Sequence, residues 1–210
     1  MPLFQFEDNV NKLEKSLLFI HIPKTGGTSV EVFFEKLGCN TFLSPKEYRS
    51  FRKHLKIAPA HYDINFISEI FDLNSIYSFT IVRNPLDRIF SIYNWVKDKS
   101  TNTDDFKKMS FDNFIDYSFN IKSNEDPIFY NMIKPQSDFI SNKLDKIFKL
   151  ELGLKNIFKE IFLDIGLNIN GDFEVPFLNK SNSDKHSLND HVIEKINKYY
   201  QKDFKEFNYY

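Results

Sequence analysis

The sequence predicts a three-layer α/β fold with a mostly parallel central sheet flanked by helices, and three stretches carry that prediction. Residues 17–22 (LLFIHI) form an uninterrupted apolar run, followed by a glycine turn and a helical pattern. Residues 76–82 (IYSFTIV) repeat the arrangement and end in Arg83-Asn84-Pro85, before a second amphipathic helix. A shorter run over residues 146–150 precedes a third helix. Strands that alternate with helices favour parallel neighbours, because a parallel pair needs a crossover connection and a helix supplies it.

Each element has its own physical ground. A continuous apolar run such as 17–22 fits a strand covered on both faces. After it, Val30, Phe33, Phe34 and Leu37 recur at i, i+3, i+4 and i+7, the stripe of a helix, and Gly38 suits its C-terminal cap. Residues 44–57 are basic, with Lys46, Arg49, Arg52, Lys53 and Lys56 against Glu47 alone. Residues 59–62 read as a connection and residues 64–71 as a short apolar segment. Past the second strand, Asn84 can cap and Pro85 can occupy the first turn of a helix whose stripe is Ile89, Ile92, Tyr93 and Val96. Residues 99–126 are polar, with an amphipathic helix expected near 111–119. The third helix carries Leu154, Ile157, Phe158, Ile161 and Ile165. Residues 168–189 read as loop, and a helix over about 188–200 with an aromatic tail closes the chain. With no repeat and no linker, residues 1–210 are read as one domain.

Composition removes several classes of function. Lys and Arg number 28 against 29 Asp and Glu, for a formal net charge of −1. That balance disfavours a general nucleic-acid binder and makes any anion site local. The single cysteine, Cys39, excludes an internal disulfide framework and a cysteine-rich zinc site. No His-x-x-x-His pair or close carboxylate set has metal-ligand spacing, so no metal is expected. No window approaches the roughly 20 apolar residues of a membrane span. The first 15 residues lack the apolar stretch of a signal peptide, so a reducing, cytoplasmic compartment is expected. The 24 Phe and 10 Tyr are read as a coding bias, not as a functional signal.

The turn after the first strand has the makings of an anion cradle. Free N–H groups and the positive end of the dipole meet at a helix N-terminus. Gly26 and Gly27 let the backbone approach a phosphate closely, Thr28 and Ser29 add hydroxyls, and Lys24 brings a cation. The Walker A order places its lysine after the last glycine, with four residues between its glycines. Here Lys24 precedes an adjacent pair. The second strand ends in Arg83, where that class would hold magnesium with an aspartate.

The string His21-Ile22-Pro23-Lys24-Thr25-Gly26-Gly27-Thr28-Ser29 resembles the 5′-phosphosulfate loop of sulfotransferases that use 3′-phosphoadenosine 5′-phosphosulfate (PAPS). The likeness is to the carbohydrate branch that includes heparan sulfate 2-O-sulfotransferases. It implies a P-loop-like fold in which Lys24, Thr25, Gly26, Gly27, Thr28 and Ser29 hold the 5′-phosphosulfate of the donor, with no metal. The second motif is similar in type and spacing to the family's 3′-phosphate site, with Arg83 at the strand end and Ser91 eight residues on. Arg88 between them is read as structural. Leu178-Asn179-Lys180-Ser181 and the segment from Tyr200 to Tyr209 resemble the closing part of this branch, which adds Lys180 and Ser181 as 3′-phosphate ligands. Patchier likeness, with no role attached, lies at Pro135-Gln136-Ser137-Asp138 and Phe148-Lys149-Leu150-Glu151.

Sulfuryl transfer to a hydroxyl requires a held donor, charge compensation on the leaving phosphate and a base for the acceptor proton. Lys24 suits the second role. His61 suits the third, since an imidazole titrates near neutrality and the segment from Ala60 to Phe66 resembles the family's histidine segment, with Ala60 where glycine is frequent. His54 ranks second as base, and His21 is read as a packed or orienting residue. The partners implied are a small-molecule donor and a hydroxyl acceptor on a glycan, with the basic stretch 46–56 available to an acidic acceptor. Oligomeric state is not legible. Eukaryotic relatives are usually anchored in the Golgi, whereas this chain begins almost at its first strand; a bacterial, phage or viral cytoplasmic enzyme, or a catalytic fragment, is expected. Two alternatives stay open: a P-loop phosphotransferase using ATP and magnesium, and a non-catalytic binder of anionic glycans.

Overall fold

The computed structural model of the chain describes residues 2–8, 13–43, 54–99, 104–141, 144–167, 173–176 and 189–210. Its sheet has five strands: β1 (Leu3–Asp8), β2 (Leu13–Ile20), β3 (Asn40–Phe42), β4 (Tyr77–Val82) and β5 (Lys146–Lys149). They lie in the order β3-β1-β2-β4-β5.

The three anticipated strands are present as β2, β4 and β5, and they pair in parallel, with Ile20 opposite Thr80 and Val82 opposite Lys149. The sheet as a whole is mixed, which corrects the mostly parallel expectation. An antiparallel hairpin joins β1 to β2, and β3 adds antiparallel to β1. The reason lies in residues 3–8, where Phe4 and Phe6 alternate with polar neighbours and so face the same side of a strand. There they pack on Phe34, with ring centroids 4.4 and 5.8 Å away.

Nine helices are described: α1 (Gly27–Lys36), α2 (Ile64–Ser68), α3 (Pro85–Lys99), α4 (Asp104–Lys108), α5 (Phe111–Asn120), α6 (Pro127–Ile133), α7 (Leu154–Asp164), α8 (Asp190–Tyr199) and α9 (Gln201–Glu206). Alternation along β2 sends Leu17 and Phe19 to one face and Leu18 and Ile20 to the other, and all four are fully buried. On the first face α1 and α7 meet through Phe33 and Phe158, stacked at 4.1 Å. On the second, Ile64 and Ile67 of α2 join Phe139 and Phe207. A separate apolar cluster ties α3, α5, α6 and α8 together. The phenylalanine excess is thus spent on three packed clusters, where aromatic rings bury much area per residue.

The closing helix is interrupted at Tyr200, which divides α8 from α9. Most of the basic stretch, residues 44–53, lies outside the described residues, as does most of the loop over 168–189. No helix among the described residues is long and apolar enough to cross a membrane.

Candidate functional site

The three parallel strands all end on one side of the sheet, and each passes there into a helix. Crevices at the carboxyl ends of parallel strands are where open α/β sheets bind ligands. Between these turns and α6 lies a cavity of about 440 Å³, lined among others by His21, Lys24, Gly27, His61, Arg83 and Ser91.

The loop from β2 to α1 turns sharply, with Lys24 at φ 69° and Gly26 at φ 90°, both in the left-handed region. Ser29 N and Val30 N donate to Gly26 O at 2.9 and 3.3 Å, which opens α1. The N–H groups of Gly27 and Thr28 precede those bonds, and both residues line the cavity at the positive end of the helix. Gly27 has no room for a side chain, because a Cβ there would lie 1.9 Å from His21 Nε2. Thr28 is exposed and Ser29 is buried in the first turn. Thr25 is placed differently from its neighbours. It is fully buried, its hydroxyl donates to Ile22 O at 2.9 Å, and it shapes the loop without lining the cavity.

Arg83 stands at the end of β4, half-buried, with Nη1 3.4 Å from Lys24 O. Among the described residues no carboxylate comes within 4 Å of its guanidinium. Burial lowers its affinity for the proton, opposed by the more distant Asp87 and Glu151. Burial also pulls the Lys24 ammonium down to about 8, with repulsion from Arg83 second and Asp98 opposing. Two cations withdrawn from water and pushing on each other form a site that an anion would relieve.

Asn84 caps α3 as its sequence position implied, accepting from Leu86 N at 3.0 Å and Asp87 N at 3.4 Å. Along that helix Ser91 is buried against the cavity, and Trp95, four residues on and therefore on the same face, reaches it too. The Lys24 ammonium sits 5.7 Å from the centre of the Trp95 ring, which is 40% exposed. In the sequence Trp95 shows only as a lone tryptophan one turn past Ser91, a signal too slight to mark it as part of a site.

Arg88 is fully buried and carries the structural role anticipated for it. Its guanidinium donates to Pro23 O at 3.0 Å, Lys134 O at 3.1 Å and Met132 O at 2.7 Å. It therefore staples the start of the loop to the end of α6, where helix carbonyls lack partners and favour a cation.

His61 ends a single 3-10 turn, Pro59–His61, in which Ala60 is buried. Its Nδ1 lies 2.9 Å from His21 O. A carbonyl only accepts, so Nδ1 carries the proton and donates, and Nε2 is left as the basic nitrogen. Burial, then the neighbouring His21, hold the His61 imidazole well below the usual histidine range. His21 is held in turn, with Nδ1 2.9 Å from Glu31 Oε1 and its ring stacked 5.4 Å from Phe19. It orients His61 through its backbone carbonyl. Asp63 caps the following α2, accepting from Asn65 N and Phe66 N.

The structure thus gathers Lys24, Gly26, Gly27, Thr28, Ser29, His61, Arg83 and Ser91 around one cavity, with Thr25 behind the loop. His54 is exposed and does not line it. Lys180 and Ser181 lie outside the described residues. Among the described residues no group of three His, Cys, Asp or Glu could hold a metal ion.

The profile of the sulfotransferase family matches residues 10–210. Among curated proteins no match is found.

Proposed function

The chain belongs to the sulfotransferase family, and from that premise we propose that it transfers the sulfonate of PAPS to a hydroxyl on a carbohydrate, in the manner of the 2-O branch that its first loop resembles. The observation that carries the reading is the pair of half-buried cations, Lys24 and Arg83, whose residues touch where Arg83 Nη1 donates to the Lys24 backbone carbonyl at 3.4 Å, with no carboxylate within 4 Å of either charge among the described residues. They face one cavity with the opening turn of α1. The donor carries two anionic groups, a 5′-phosphosulfate for the loop and a 3′-phosphate for Arg83 and Ser91. Lys180 and Ser181 belong to the same proposal as further 3′-phosphate ligands.

The chemistry follows from the residues. The acceptor oxygen attacks sulfur as the bond from sulfur to the bridging phosphate oxygen breaks. The acceptor proton passes to His61 Nε2, and the leaving 3′-phosphoadenosine 5′-phosphate (PAP) departs with its new charge against Lys24. Positioning and electrostatics dominate such a loose, in-line transfer. Trp95 supports a sugar acceptor, since its exposed ring beside Lys24 offers a flat apolar face to the C–H side of a pyranose.

A thermal-shift titration with PAP, with ATP–magnesium and without ligand, on wild type and Arg83→Ala, tests the reading. A ligand that binds only the folded state raises the melting temperature with saturation. The expected result is a shift with PAP that Arg83→Ala abolishes. A shift with ATP–magnesium and none with PAP would overturn it in favour of phosphoryl transfer.

A further inference from the structure

The turn that carries Arg83 is held from outside its own strand and helix. The Gln136 side chain reads the Arg83 backbone on both edges: Arg83 N donates to Gln136 Oε1 at 2.9 Å, and Gln136 Nε2 donates to Arg83 O at 2.8 Å. Gln136 is fully buried, and so is the carboxylate behind it. Asp203, on α9, accepts from Gln136 N at 2.8 Å, from Ser137 N at 2.9 Å and from Gln136 Nε2 at 3.4 Å. The next residue of the turn is gripped as well. Asn84 N donates to Glu151 Oε1 at 2.8 Å, and Tyr209 Oη donates to Glu151 Oε2 at 2.9 Å. Lys149 completes this side, donating to Asn208 O at 2.9 Å and lying over the Tyr209 ring.

Both grips trace back to residues 203–209, which are more than 110 residues away along the chain. We propose that this C-terminal segment is a positioning clamp for the donor's 3′-phosphate site, acting on Arg83 through Asp203 and Gln136 and on Asn84 through Tyr209 and Glu151. The proposal rests on the reading of Arg83 as the 3′-phosphate ligand. Its physical basis is that Arg83 is a half-buried cation whose one side-chain hydrogen bond to a described residue is the 3.4 Å contact with Lys24 O. Its own contacts therefore fix the guanidinium weakly, and the direction in which it leaves the strand end depends on how firmly the backbone of residues 83 and 84 is set. An amide that both accepts from and donates to one residue's backbone leaves that residue little freedom to rotate. Preorganising an arginine before its phosphate arrives lowers the ordering cost of binding and sharpens selectivity for that phosphate.

The test compares two probes that differ only in the 3′-phosphate, PAP and adenosine 5′-phosphate, by calorimetric titration of the full chain. Wild type is expected to prefer PAP. Gln136→Met keeps the volume and removes both backbone bonds; it is expected to weaken PAP about tenfold, the worth of one or two hydrogen bonds, and to leave adenosine 5′-phosphate unchanged. Asp203→Asn is expected to act in the same direction. Should either variant fail to fold, Tyr209→Phe removes a single bond near the surface and is expected to narrow the preference about threefold. Equal loss for both probes, or an unchanged preference in the folded variants, would overturn the clamp and leave these residues a purely structural part. A wild type that binds both probes alike would overturn the assignment of Arg83 itself, a failure distinct from that of the clamp.

Discussion

Arg83 Nη1 lies 3.4 Å from the carbonyl oxygen of Lys24, and the strand-end arginine and the loop lysine line the same cavity. Their mutual repulsion adds to burial in drawing Lys24 down to about 8. The pair stores an electrostatic cost that a bound anion would offset.

Lys24 is cationic below pH 8 and neutral above it, so kcat/KM, which reports the free enzyme, should fall as pH rises through about 8. A bound dianion favours the charged form, so the same limb in kcat should lie at higher pH. Arg83→Met removes the repulsion and should move the kcat/KM limb upward. Paired pH–rate profiles check this; coincident limbs in kcat and kcat/KM would contradict it. Lys24→Ala should lower kcat by about 10²–10³.

A histidine acts as base only when unprotonated, and burial with His21 beside it keeps His61, the proposed base, unprotonated well below the ordinary histidine pKa. Activity should therefore stay level as pH falls from 7 through 6.5, where a solvated histidine would already be half protonated. The acid limb should disappear in His61→Ala, with kcat down about 10²–10⁴. A limb that persists in that variant would move the role to another group.

Gly27→Ala should be damaging out of proportion to one methyl group. The added Cβ would fall 1.9 Å from His21 Nε2, and His21 is wedged between Glu31 and Phe19. The expected cost is about 3 kcal/mol, read by denaturant unfolding, with loss of PAP binding as the loop moves.

Arg88→Met should unfold the protein more readily by about 3 kcal/mol or more, because it strips partners from three carbonyls at Pro23, Met132 and Lys134. Arg88→Lys should not rescue it, since one ammonium on a flexible stem cannot reproduce a planar fork aimed at three acceptors. Thermal unfolding of the two variants side by side measures the difference.

Local pattern carried much of this protein. The short runs at 17–22, 76–82 and 146–150 coincide with β2, β4 and β5: each is too short for a buried helix of ordinary length and leads through turn residues into a helical stripe, and those stripes determined α1, α3 and α7. Asn84 announced its cap and the glycine pair its turn, since each depends on neighbours within a few residues. The loop string also announced the family that the profile match supports.

What only the tertiary structure decided is everything set by contacts between distant segments. The hairpin of β1 and β2 makes the sheet mixed, through a pairing that Phe4 and Phe6 permit and that packing against Phe34 and its neighbours rewards. The string does not show that the Thr25 hydroxyl donates to Ile22 O once the loop closes. Trp95 gained a place at the cavity when α3 was laid beside the loop. Gln136, Glu151 and Asp203 sat in segments without a readable role, because a hydrogen bond across 53 or 67 residues leaves no periodicity behind. Periodicity records which face of an element is buried; it does not record what meets that face, and the clamp around Arg83 is made entirely of such meetings.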